Sequence, residues 1–195
     1  MNRLRRFYDR TMDIAAHARA PHVLFWISYV EAFFALVPPQ AMLIAMVLAA
    51  RDRAWKLASL ATIGSVLGGL TGYAIGLFLF ESAGRWLLEM NGLANGFERF
   101  AAHYNEYGAW IVFIAGVTPI PYKLVTIASG ATGLDLTVFI ASSVVARGLV
   151  FFSIAALIYY FGPTARRFIE ARLGLVAATV LVMLFAGFAA IRVFV

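Results

Sequence analysis

The chain has 195 residues, 63% hydrophobic and 13% charged, with a net charge of +6 and a mean hydropathy of +0.84. Soluble domains carry roughly 45–50% apolar and about 25% charged residues, so this composition points to an integral membrane protein. Cysteine is absent, which excludes disulfides, thiolate catalysis and cysteine metal sites.

The apolar runs are continuous rather than alternating, which predicts helices and not a barrel. Residues 1–21 hold Arg3, Arg5, Arg6, Arg10 and Arg19. They lack the apolar core of ~7–15 residues that a cleavable signal needs. Leu4, Phe7, Tyr8, Met12 and Ala15 recur at helical spacing, predicting a cationic amphipathic helix on the inner membrane face. The basic residues flank apolar runs, which fits orientation and anionic lipid rather than nucleic acid.

Residues 22–50 have one charge, Glu31, and are interrupted by Pro38-Pro39. As one helix they would exceed about 40 Å, against a hydrocarbon core of ~30 Å. Two half-helices meeting at the prolines would instead form a re-entrant hairpin. Residues 58–80 read as a spanning helix, with Gly64, Gly68, Gly72 and Gly76 on one face for close helix packing. Tyr73 beside that stripe is a candidate to line a polar cavity or to anchor packing. Residues 81–108 read as an external amphipathic segment, broken at Asn91-Gly92 and Asn95-Gly96.

Residues 109–134 are the second interrupted run. Pro119 and Pro121 remove two backbone donors, and the residues before them are pushed toward extended conformations. The helix entering this run should stop near Val117 and restart at Pro121. Lys123 then lies in the first turn of the second half, the dipole end that disfavours a cation. Residues 137–161 span, with Arg147 near the middle. Residues 166–195 comprise a basic loop with Arg166, Arg167 and Arg172, then a C-terminal span.

Charge asymmetry favours both interrupted runs being re-entrant. The amino terminus, the Arg51–Lys56 loop and the Arg166–Arg172 loop then share the cytoplasmic side. The 81–108 stretch, where four glutamates outweigh two arginines, lies outside. The expected fold is therefore an all-α polytopic membrane protein. It would be an inverted repeat of re-entrant broken helix plus spanning helix, with an additional C-terminal span and an N-terminal amphipathic helix. The hairpin tips, Pro38-Pro39 and Pro119–Pro121, should lie close together.

Several elements carry a resemblance: Gly72-Tyr73-x-x-Gly76, Thr118-Pro-Ile-Pro-Tyr-Lys123, Thr126-Ile-Ala-Ser-Gly130 and Arg147-Gly148. Over residues 22–165 the chain resembles the DedA family, most closely its YqaA-like subgroup with the VTT (SNARE-associated Golgi) domain. That resemblance implies a bacterial inner-membrane protein with two opposed re-entrant hairpins. It implies transport, of undecaprenyl phosphate or other phospholipid, rather than catalysis. The chain departs from the family pattern at Leu36, where a proline is expected, at Gln40, where an acid is expected, and at Val150, where a second arginine often stands.

Glu31, Lys123 and Arg147 are ionisable residues deep in apolar segments, where each costs ~2.5–3.5 kcal/mol or more and should find a partner inside the protein. One acid against two bases leaves excess positive charge. Two half-helix amino ends, after Pro39 and after Pro121, would face the same space. This constellation suits a phosphate, with arginine forked and lysine as a point charge. The candidate pathway residues are Glu31, Pro38, Pro39, Gln40, Tyr73, Thr118, Pro119, Pro121, Tyr122, Lys123 and Arg147. The competing reading is an ion pair that only holds the fold.

The expected function is flipping or scrambling of a phosphate-bearing lipid. The alternatives are a proton- or cation-coupled small-solute carrier and a non-transporting membrane factor. No catalytic motif is found, and His17, His22 and His103 are too dispersed for a metal site. No cofactor is expected. The expected partners are membrane lipids, not nucleic acid, and the final helix is a candidate homo-oligomer contact.

Overall fold

The computed structural model describes residues 19–34, 38–118 and 121–171, with side chains through residue 162. The predicted amphipathic helix over residues 1–21 and the C-terminal span lie almost wholly outside the described residues, as does Pro119. Among the described residues the chain is all helical.

Helix α1 is Ala20–Glu31 and α2 is Pro39–Ala49. A single 3-10 turn, Arg51–Arg53, leads into α3, Ala54–Leu79. A π-helical turn, Phe80–Gly84, carries that helix into α4, Arg85–Met90. Then come α5, Ala94–Glu106, α6, Gly108–Val117, and α7, Tyr122–Ala131. The last is α8, Leu136–Ala171.

The second interrupted run behaves as its prolines dictate. Helix α6 stops at Val117, Pro121 is the residue before α7, and Lys123 falls in the first turn of α7. The first run differs, because α1 ends at Glu31 and not at the prolines. The Phe33 and Phe34 amides fold back on the Val30 carbonyl. The Ala32 carbonyl, just past the helix, accepts the Thr126 hydroxyl of α7 at 3.1 Å, a donor shared with the Lys123 carbonyl of its own turn at 2.9 Å. The contact gives a partner to one of the carbonyls that a helix end leaves unpaired.

A second difference follows Phe80, where the helix continues to Met90 instead of ending. Asn91-Gly92 does break it, with Gly92 at φ 68°. Asn95-Gly96 does not break α5, because it sits in the first turn, where amides have no intrahelical partner in any case. Helix α7 closes with Gly133 at φ 65° and the Leu134 amide bonded to the Ser129 carbonyl. Asp135 then caps α8, accepting from the Val138 amide at 3.0 Å.

The two long helices, α3 and α8, pack on each other. Helices α1 and α7 lie on α3, while α2 and α6 lie on α8. The glycine stripe makes this possible. A Cβ on Gly68 would fall on the Tyr29 carbonyl of α1, and one on Gly76 on the Ile127 carbonyl of α7. Gly130 of α7 returns the contact against the Tyr73 carbonyl. The pairs 64–25 and 68–29 make α1 parallel to the first half of α3. The pairs 76–127 and 73–130 make α7 antiparallel to its second half. The two meet at Gly72, which faces both Phe33 and Thr126.

Helices α1, α2, α6 and α7 have 10–12 residues each, or about 15–18 Å, roughly half a membrane core. The stretches Arg51–Met90 and Leu136–Gly162 are long and apolar enough to cross one.

Candidate functional site

Arg147 lies near the middle of the apolar stretch Leu136–Gly162 of α8 and is 4% exposed. Its Nε donates to Ser65 Oγ of α3 at 2.7 Å, and its Nη2 to Glu31 Oε2 at the end of α1 at 3.3 Å. The guanidinium carbon is 5.1 Å from the Tyr122 ring centroid and 4.8 Å from that of Phe151. Three helices and two aromatic rings thus hold one cation. A buried arginine is tolerated on these terms, because its planar fork is satisfied at the edge while rings cover its faces.

Tyr122, itself fully buried, is placed by the same logic. Its hydroxyl donates to Ser143 Oγ at 2.6 Å, one turn before Arg147. Its ring fills the space over Gly69, where a Cβ would come within 3.3 Å of the phenol oxygen.

Glu31 occupies the last position of α1 and Lys123 the first turn of α7. Each sits at the helix end whose dipole disfavours its charge. They offset each other, since both Lys123 and Arg147 attract the Glu31 carboxylate. Lys123 is half-buried, and its ammonium has no hydrogen bond or ion pair among the described residues, although its carbonyl accepts the Thr126 hydroxyl at 2.9 Å. With all three ionised, the cluster carries one excess positive charge.

The other predicted residues are more scattered. Pro38 precedes α2 and Pro39 opens it, buried. Gln40 follows, with its Oε1 buried and without a partner among the described residues. Pro121 precedes α7 and positions Tyr122 and Lys123. Thr118 bonds back to the Ile114 carbonyl of its own helix at 2.7 Å. Tyr73 donates to the Leu134 carbonyl at 2.6 Å, beyond the end of α7. These two hydroxyls are committed to backbone.

Ser65, Ser143, Thr126 and Phe151 belong to the constellation and were not among the candidate pathway residues, although Thr126 opens the Thr126–Gly130 motif. Ser65 carried a signal, as a hydroxyl beside Gly64 in the middle of a spanning helix must find a partner. Among the described residues, no group of three or more histidines and carboxylates could hold a metal.

Mean hydropathy, two helices long enough to span and charge buried at their centre define a helical membrane protein. The family comparison agrees. The VTT domain matches residues 37–160, so the chain belongs to the VTT-domain (DedA) family. It is 33% identical over 150 residues to an uncharacterized protein of Haemophilus influenzae, covering 77% of this chain and 78% of that one. It is 31% identical over 140 residues to an uncharacterized protein of Histophilus somni, covering 72% and 73%. No solved structure matches it.

Proposed function

We propose that the chain is a multi-pass transporter of the bacterial inner membrane, amino terminus cytoplasmic, that flips or scrambles a lipid bearing a phosphate. The observation that carries this reading is the excess positive charge around Arg147, with Lys123 unpaired among the described residues. An anion completes such a cluster. The two short helix pairs act as re-entrant hairpins, and their packing supports an inverted repeat. Exchanging α1, α2 and α3 with α6, α7 and α8 maps the packing of α1 on α3 onto that of α6 on α8, and the packing of α7 on α3 onto that of α2 on α8, although α2 also packs on α3 more closely than α7 does on α8. In the working cycle Lys123 and Arg147 hold the phosphate, and Glu31 competes for them when the site is empty. Tyr122 orients Arg147, and the acyl tails stay in lipid.

The test is transbilayer exchange in proteoliposomes with a phosphate-bearing fluorescent lipid. Lys123→Ala and Arg147→Lys should each slow exchange at least about tenfold, the loss of one charge-assisted contact. Full activity in both folded variants would sink the reading.

A second reading, a proton- or cation-coupled carrier of a small solute, draws on the Gln40 oxygen, buried and without a partner among the described residues, at the start of α2. Gln40→Asp separates the two. A coupled carrier gains pH dependence, while an uncoupled scramblase changes little.

A further inference from the structure

Arg51 lies far from the central cluster, in the turn that leads into α3, and its Nη2 donates to the main-chain carbonyl of Tyr159 in α8. That carbonyl would ordinarily accept the amide four residues on. Position 163 is proline, so no amide is there to donate. The Arg51 guanidinium supplies the missing hydrogen. The Arg51 side chain lies against Gly162, where a Cβ would be in van der Waals contact with Arg51 Nε at 3.4 Å. The guanidinium also lies 5.7 Å from the Tyr159 ring centroid. Arg51 is thus anchored on a carbonyl that Pro163 leaves without its amide donor, though its side chain remains exposed.

Its surroundings are those of a membrane interface. Trp55, 40% exposed, packs on Phe152 at 6.2 Å and on Tyr159 at 5.7 Å between ring centroids. Tyr160 beside them is exposed. Amphipathic rings of this kind sit at head-group level. Arg53 and Lys56 are exposed within five positions of Arg51. Asp52 is the one acid in the turn and is only 3.9 Å from Arg53, both side chains solvated. Such a pair contributes little, so the site keeps two net positive charges.

We propose that this end of α3 and α8 is a binding site for an anionic phospholipid that is retained rather than transported. Arg51 presents the remaining donors of an already ordered fork to the lipid phosphate. Arg53 and Lys56 supply the surrounding field, and Trp55 packs along the glycerol and upper acyl chain. The order imposed by Tyr159 lowers the entropy lost on binding. The site is separate from the Arg147 cluster, and its occupancy steadies the joint between α3 and α8.

The experiment is a thermal-unfolding titration of the full chain in a zwitterionic detergent. Phosphatidylglycerol, phosphatidylcholine and soluble glycerol phosphate are added in turn. The proteins are wild type, R53Q/K56Q and the charge-matched control R85Q/R99Q, whose arginines lie in α4 and α5, beyond the opposite end of α3. Phosphatidylglycerol should raise the Tm of wild type and control. In R53Q/K56Q its apparent affinity should fall by about fivefold per charge removed. If the double variant does not fold, the single K56Q variant is read instead. An equal response in all proteins, no response to phosphatidylglycerol, or an equal response to phosphatidylcholine or glycerol phosphate would each overturn the proposal.

Discussion

Glu31 and Arg147 stand 116 positions apart in the chain and meet at 3.3 Å between the end of one helix and the interior of another. Arg147 is almost wholly buried, whereas the Glu31 side chain is 23% exposed. The carboxylate therefore sits at the edge of the cluster and the guanidinium at its centre. Removing the acid leaves a buried cation with a single hydrogen-bonding partner among the described residues, Ser65.

Glu31→Ala should accordingly destabilise the protein by about 3–5 kcal/mol, as breaking buried pairs does. The double variant Glu31→Ala/Arg147→Met should be less destabilised than the sum of its parts, because no uncompensated charge remains. Thermal unfolding of the four proteins of the cycle checks this.

Ser65→Ala tests how far Arg147 depends on α3. The lost acceptor should cost about 1–3 kcal/mol. If the proposed phosphate contact is right, lipid exchange should slow as well, because the fork is no longer oriented. Exchange rate and Tm measured together separate the two effects.

Thr126→Val removes the hydroxyl that caps the Ala32 carbonyl and joins the first helix break to α7. The expected loss is about 1 kcal/mol. Hydrogen exchange should quicken at the end of α1 before anywhere else, since that is where a carbonyl is set free.

Gly68→Ala places a methyl on the Tyr29 carbonyl. Backbone cannot yield as a side chain does, so α1 must move off α3, at a cost of about 1–3 kcal/mol or more. Gly96→Ala, with open space around it, should be neutral or slightly stabilising. Comparing the Tm of the two variants distinguishes a packing glycine from a permissive one.

Tyr104 supplies a pH dependence outside the spanning helices. Burial pushes its hydroxyl above the ordinary range, against the opposing hydrogen bond with Ser129. A raised value in the folded state means that the unfolded chain ionises first. Stability should thus hold below about pH 10 and fall as pH rises beyond it. Tyr104→Phe should flatten that alkaline decline in Tm while losing about 1 kcal/mol at neutral pH.

Much of this was legible in the order of residues. Hydropathy and continuous apolar runs defined a helical membrane protein, because both depend only on composition and period. Pro119 and Pro121 set the end of α6 and the start of α7, because a missing amide and a fixed φ act within a few residues. The glycine stripe announced a close helix contact for the same local reason. Glu31, Lys123 and Arg147 stood out because charge is rare at apolar depth.

Partners were another matter. That the first half of the stripe receives α1 and the second half α7, that Ser65 and not another hydroxyl meets Arg147, and that Tyr122 reaches Ser143 all depend on how helices far apart in sequence are brought side by side. The same is true of the early end of α1, where a carbonyl is satisfied by Thr126, and of Arg51, which donates where Pro163 cannot. A backbone group freed by the local sequence must be satisfied, and that much is readable from one dimension. Which residue satisfies it is decided by packing in three.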